Sequence, residues 1–306
     1  MAIELLTYLG LFVVSIVVLL LASDWFVDSS EKIGLSLGIS PFVIGVTIVA
    51  FGTSLPELAS SIVAVVNNDS AIVTGNVIGS NVANICLVLG VVAIVARGIK
   101  MDYAVLDVDI PVIIASAILL YVFTYDGMVD WVDGIFLLAM LVIFLVSSFR
   151  SHKGDDSIKV DAGWKAYGLL IVGAVGVYLG ATYTVKSIQE VSSVMGISSG
   201  VIAMSAVALG TSLPEVIVSV AAARKGKPGM AVGNVVGSNI FNSFAVMGIP
   251  SFFGDILVDT QDIELSLFFM IGITLLFALM AAANNVSRWE GVMLVMMYLI
   301  FIAQLF

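Results

Sequence analysis

Apolar residues dominate this chain in long unbroken runs, with the polar residues gathered between them. Ten runs of roughly helical-span length lie at about 5–24, 39–66, 71–95, 106–124, 131–149, 166–186, 196–223, 230–252, 264–283 and 289–305. About 20 apolar residues suffice for a helix to cross a bilayer, so each run is expected to be a membrane span. Several exceed that length, which predicts tilt or breaks. The second and third runs, and the seventh and eighth, are interrupted by Gly, Pro and polar residues.

Those interruptions form a repeat. Gly52-Thr53-Ser54-Leu55-Pro56-Glu57 recurs as Gly210-Thr211-Ser212-Leu213-Pro214-Glu215. Gly75-Asn76-Val77-Ile78-Gly79-Ser80-Asn81-Val82-Ala83-Asn84 recurs as Gly233-Asn234-Val235-Val236-Gly237-Ser238-Asn239-Ile240-Phe241-Asn242. The offset is 158 residues throughout, and residues 40–90 and 198–248 share 22 identities in 51 positions. A pair of surface turns would also use Gly, Ser, Thr and Pro. It would not explain apolar flanks of membrane length or the duplication, which mark a repeated unit.

Composition and charge sharpen this picture. Of the 306 residues, 60% are hydrophobic and 11% charged, against about 25% charged in a soluble domain. The chain is expected to be an all-α polytopic membrane protein. The one cysteine, Cys86, excludes an intrachain disulfide and reads as packing. No basic leader precedes the first apolar run, so a cleaved signal peptide is not expected.

Basic residues give the orientation. With the N-terminus outside, 11 of the 12 Lys and Arg fall in inside loops, and only Lys186 falls outside. Ten spans then divide into two repeats of five, 1–150 and 166–306, joined by a short polar cytoplasmic linker at 151–165. An odd number of spans per repeat makes the second copy enter from the opposite face. This is the inverted-topology arrangement of many secondary transporters, with both termini outside. The acidic outer loops read as solvation.

Only two acids lie deep in predicted spans, Glu57 and Glu215, and the repeat relates them. An ionised carboxylate at mid-bilayer costs at least about 2.5–3.5 kcal/mol, so such residues mark function. On a helix, Thr53 and Ser54 share the face of Glu57, as Thr211 and Ser212 share that of Glu215. Pro56 removes the amide partner of the Gly52 carbonyl, and Gly52 weakens the helix. The pair predicts a broken helix with free carbonyls near Ala50 and Thr53. Carbonyl, hydroxyl, amide and carboxylate oxygens are the hard ligands that Ca²⁺ takes in sets of six to eight. No Cys/His cluster supports zinc or copper. Ser80 and Asn84, like Ser238 and Asn242, are one turn apart. The four-residue spacing of Gly75 with Gly79, and of Gly233 with Gly237, favours close helix approach over ligation.

At these blocks the chain resembles the sodium/calcium exchangers of the wider cation/calcium antiporter superfamily, whose two alpha-repeats they match. The resemblance implies ten transmembrane helices as two inverted five-helix repeats, in the cell membrane, with helices one and six sliding across the rest. It implies Na⁺/Ca²⁺ antiport, with transported ions rather than cofactors and no nucleic acid or protein partner. Glu57 and Glu215 would be shared ligands for Ca²⁺ and Na⁺. Thr53, Thr211, Ala50 and Ala208 would contribute carbonyls, and Ser54, Ser80, Ser212 and Ser238 would complete flanking Na⁺ sites. Asn84 and Asn242 would face the centre. Some relatives carry an acid where this chain has Asn242, a departure that argues against K⁺ co-transport.

Two glutamates balance one Ca²⁺ or two Na⁺, so the ions should compete. A Ca²⁺/H⁺ exchanger on the same fold is the alternative, since protons can also neutralise buried carboxyls; the many flanking hydroxyls favour Na⁺. A cation channel fits a pseudo-symmetric pair of interrupted helices less well. An enzyme would need a nucleophile and base, and the one histidine, His152, lies in the linker.

Overall fold

The computed structural model describes residues 2–100, 103–151, 162–194 and 212–304. The protein is an all-α polytopic membrane protein of ten helical passages. The first is α1, Ala2–Ser36. The second, Pro41–Val66, joins a short helix (α2, Pro41–Ile44), a π-helical stretch (Gly45–Val49) and α3 (Ala50–Val66). The third, Ala71–Val95, joins α4 (Ala71–Ala83), a second π-helical stretch (Asn84–Leu89) and α5 (Gly90–Val95). Next come α6 (Tyr103–Thr124), α7 (Trp131–Ser151) and α8 (Gly163–Val194). The seventh passage is described from its second half, α9 (Leu213–Arg224). The eighth carries α10 (Pro228–Phe241) and a π-helical stretch (Asn242–Val246). The last two are α11 (Thr260–Ala282) and α12 (Arg288–Gln304).

The inversion is visible in how the copies meet. α1 and α8 lie antiparallel and form the tightest helix pair: Gly173, Gly176 and Gly180 sit against Phe26, Ala22 and Leu19 in turn. Farther along, Thr184 donates to the Ser15 hydroxyl at 2.9 Å. The loops also pair across copies. Ile99–Lys100 forms a two-residue antiparallel pair with Asn285–Val286, and Met128–Val129 pairs with Ile256–Leu257. Each pair joins two loops that the span count puts on one side of the membrane. A missed span would have separated them.

The second, third and eighth passages form the core. Pro228–Phe252 is the most enclosed candidate span and Ala71–Val95 the next, whereas α1, α7 and α8 turn most of their residues outward. That exposure suits lipid-facing helices, since the bilayer is an apolar solvent and burial of leucine in protein gains little over lipid. Cys86 is buried in the core.

One sequence expectation needs correction. Pro56 does not break its helix: α3 runs continuously through it from Ala50 to Val66. The irregular turn lies upstream, at the π-helical Gly45–Val49. A proline withdraws a single main-chain bond, which a helix enclosed by neighbours can absorb. The carbonyl of Ala50 is not free either, as it accepts the Thr53 hydroxyl at 3.3 Å. In the second copy the helix bearing Glu215 does begin at the motif. Leu213 opens α9 and Pro214 falls in its first turn, where a missing N–H costs nothing.

Candidate functional site

Glycines bring the two copies together at the centre. A Cβ on Gly233 would run into the Phe42 carbonyl and the backbone of Val46, and one on Gly237 into the Val46 carbonyl and the Ala50 side chain. Gly45 meets Met230 and Asn234 in the same way. So α10 crosses the second passage backbone to backbone, the packing role expected for Gly233 and Gly237. Gly75 and Gly79 have no such neighbour among the described residues.

This crossing puts Thr53 beside α10. Its hydroxyl donates to Asn234 Oδ1 at 3.2 Å and lies 3.4 Å from the Ser238 hydroxyl. Glu57 follows one turn later on the same helix. Both glutamates are 1% exposed. None of their four carboxylate oxygens has a hydrogen-bond partner among the described residues. The same holds for the hydroxyl of Ser54, the amide oxygen of Asn84 and both amide atoms of Asn242. Buried polar groups are nearly always paired, so this concentration of unpartnered oxygen is the signature of a site that meets something other than protein.

The remaining expected residues divide as follows. Ala50, Ser80 and Ser212 are buried, and Ser238 touches Thr53. Thr211 and Ala208 lie outside the described residues. Asn84 reaches across the copies, donating to Asn239 Oδ1 at 3.3 Å. Asn81 does the same to the Ser243 hydroxyl at 3.0 Å. Asn234, Ser219, Asn81, Asn239 and Ser243 were not among the expected site residues. Three of them stand in the repeated GN…GSN block, which was the available signal. Asp109 is also buried; it accepts from Ser148 at 3.3 Å in the N-terminal part of α6. Among the described residues no group of three or more His, Cys, Asp or Glu side chains gathers. The site therefore combines two carboxylates with neutral oxygens.

The family model for the sodium/calcium exchanger protein matches residues 7–150 and 165–306. The chain belongs to the sodium/calcium exchanger family. The sodium/calcium exchanger MaX1 of Methanosarcina acetivorans is 34% identical over 342 aligned positions, covering 95% of this chain and 96% of that protein. An uncharacterized membrane protein of Methanocaldococcus jannaschii is 35% identical, with 97% of each chain covered. Among solved structures, the sodium-calcium exchanger NCX_Mj soaked with Na⁺ and Sr²⁺ superposes with a TM-score of 0.88 at 34% identity, covering 99% of each chain. The chain is thus similar over nearly its whole length to a sodium-calcium exchanger whose solved structure was soaked with Na⁺ and Sr²⁺.

Proposed function

We propose that this protein is a secondary active antiporter that exchanges Na⁺ for Ca²⁺ by alternating access, and that the two ions compete for a site built on Glu57 and Glu215. The observation that carries the reading is the pair of fully buried carboxylates with four unpartnered oxygens in a shell of hydroxyl and amide oxygens. Hard oxygen ligands in number are what Ca²⁺ requires, and two negative charges are neutralised by one Ca²⁺ or two Na⁺. Two ionised carboxylates buried in one site without a cation are mutually repulsive. Occupancy by cations is what makes their burial affordable.

In this reading Thr53, Thr211, Ala50 and Ala208 lend main-chain carbonyls. Ser54, Ser80, Ser212 and Ser238 flank the glutamates as Na⁺ ligands, and Asn84 and Asn242 face the centre as neutral ligands. Residues 1–150 and 166–306 act as the two inverted repeats, with 151–165 as a cytoplasmic linker. Both termini lie outside the cell membrane, which puts the basic loops inside. The protein transports and has no catalytic role.

The test is ⁴⁵Ca²⁺ uptake into proteoliposomes under an imposed Na⁺ gradient and, separately, an imposed pH gradient. Uptake driven by Na⁺ and unaffected by the pH gradient is expected. Uptake driven by the pH gradient alone would replace this reading with Ca²⁺/H⁺ exchange.

A further inference from the structure

Asn234 is completely buried and lies between the two half-sites. Its amide nitrogen donates to the Ser219 hydroxyl at 2.9 Å. Its amide oxygen accepts from Thr53 at 3.2 Å and from Ser238 at 3.5 Å. Ser219 stands four residues after Glu215 on α9, on the same helical face. Thr53 stands four before Glu57 in the other copy. One side chain therefore ties the helices of both glutamates together.

We propose that Asn234 is a positioning residue that fixes which way the hydroxyls of Thr53 and Ser238 point, and so sets Na⁺ affinity. This rests on the site reading above, extended to the Thr53 hydroxyl as a ligand beside its main-chain carbonyl. A hydroxyl has one hydrogen and two lone pairs, and an amide oxygen can accept two hydrogens. When both hydroxyls give their hydrogens to Asn234 Oδ1, their lone pairs stay available to a cation. The second acceptor near Thr53, the Ala50 carbonyl at 3.3 Å, acts in the same sense. With its nitrogen on the Ser219 hydroxyl, the amide turns its oxygen toward Thr53 and Ser238. Flipped, the amide would present N–H groups to both hydroxyls, occupy their lone pairs and turn their hydrogens toward the cation.

The arrangement is one-sided. The repeat places Asn76 opposite Asn234 and Ser61 opposite Ser219. Yet Asn76 is half-buried, and the Ser61 hydroxyl has no hydrogen-bond partner among the described residues. Asn234 therefore serves one flank of the site. Neutral oxygens form a larger share of the ligand field for a monovalent ion, while two carboxylates dominate the attraction for Ca²⁺. Losing the orientation should weaken Na⁺ more than Ca²⁺.

The test measures half-saturating Na⁺ and Ca²⁺ separately in proteoliposomes for the parent, Asn234→Leu, Asn234→Asp and Ser219→Ala. Leucine keeps the volume and removes both polar atoms. It should raise half-saturating Na⁺ about tenfold, the effect of one well-placed hydrogen-bonded ligand, and lower the Na⁺ Hill coefficient. Half-saturating Ca²⁺ should move less than about threefold on the same scale. Aspartate keeps an acceptor oxygen in either protonation state and should restore most of the Na⁺ response. Ser219→Ala should shift Na⁺ in the same direction by less. Na⁺-induced and Ca²⁺-induced thermal stabilisation of the same purified variants reads the two affinities without transport. Equal shifts for both ions, or no shift in Ser219→Ala and full loss in Asn234→Asp, would overturn the positioning role. A parent without Na⁺-driven uptake would instead overturn the site reading.

Discussion

At the scale of single residues, the account turns on which charges are indispensable. Among the described residues, Glu57 and Glu215 supply the two carboxylates at the centre. Glu57→Gln and Glu215→Gln keep size but replace one acceptor oxygen with an N–H donor and leave one negative charge against a divalent ion. Each should abolish Na⁺-driven Ca²⁺ uptake in proteoliposomes while the protein still inserts; full flux in either variant would remove that glutamate from the site. Asn242 is the other informative position, because both its amide atoms are buried without a partner among the described residues. Asn242→Asp would raise the site from two negative charges to three. At about 4 Å and an effective dielectric near 20, a charge pair is worth roughly 4 kcal/mol before desolvation. The added charge should recruit another cation, seen as a new K⁺ or pH dependence of uptake. The parent should show no K⁺ requirement. Asn84→Ala, which removes a neutral ligand, should weaken binding without recruiting a new ion.

At the scale of elements, two kinds of contact hold α1 and α8 in place. Within the pair, Gly180 lets α8 lie directly on the Leu19 backbone, where a Cβ would come within 2.8 Å. Between the pair and the core, Lys225 meets Asp24 at 3.0 Å and Asp28 at 2.9 Å, and Lys227 meets Glu31 at 2.6 Å. Burial pulls the Lys225 ammonium down, but its bonds to Asp28 and Asp24 outweigh that and leave it raised. A raised lysine contributes its stability at neutral pH and loses it only as the pH rises beyond the lysine range. The acidic partners of Lys225 are about half exposed, so each of its pairs is worth about 1 kcal/mol or less. Lys225→Ala should therefore lower Tm by only about 2–4 °C. Gly180→Val forces two backbones apart, at about 1–3 kcal/mol or more, and should lower Tm further. A larger fall for Lys225→Ala in thermal unfolding would mean that the ion pairs, not the small-residue contact, hold these helices.

The same elements show what could be read from sequence. Span count, inversion and the burial of the two glutamates were legible because hydropathy, basic-loop bias and an ungapped repeat each record them directly. The break at Pro56 was misplaced because a π-helical turn such as Gly45–Val49 has no composition of its own. A proline inside an enclosed helix can be absorbed by its surroundings. α1 extends to Ser36, well past the apolar run ending near residue 24, since helix continues where lipid contact ends. The Asn234–Ser219–Thr53 bridge joins residues 15 and 181 positions apart. It depends on the glycine-permitted crossing of α10, and no local spacing encodes it.

At the scale of the whole molecule, two antiparallel copies place equivalent motifs on opposite sides of one centre. Such a frame allows a site to face either side with little change in its own contacts. Exchange rather than leak then requires that Na⁺ and Ca²⁺ never occupy the two glutamates together. The most direct measurement is equilibrium ⁴⁵Ca²⁺ binding to the purified protein, titrated with Na⁺ at constant ionic strength. The account predicts that saturating Na⁺ displaces all bound Ca²⁺ with a Hill coefficient above one, since more than one Na⁺ replaces each Ca²⁺. Ca²⁺ that stays bound at saturating Na⁺ would contradict it.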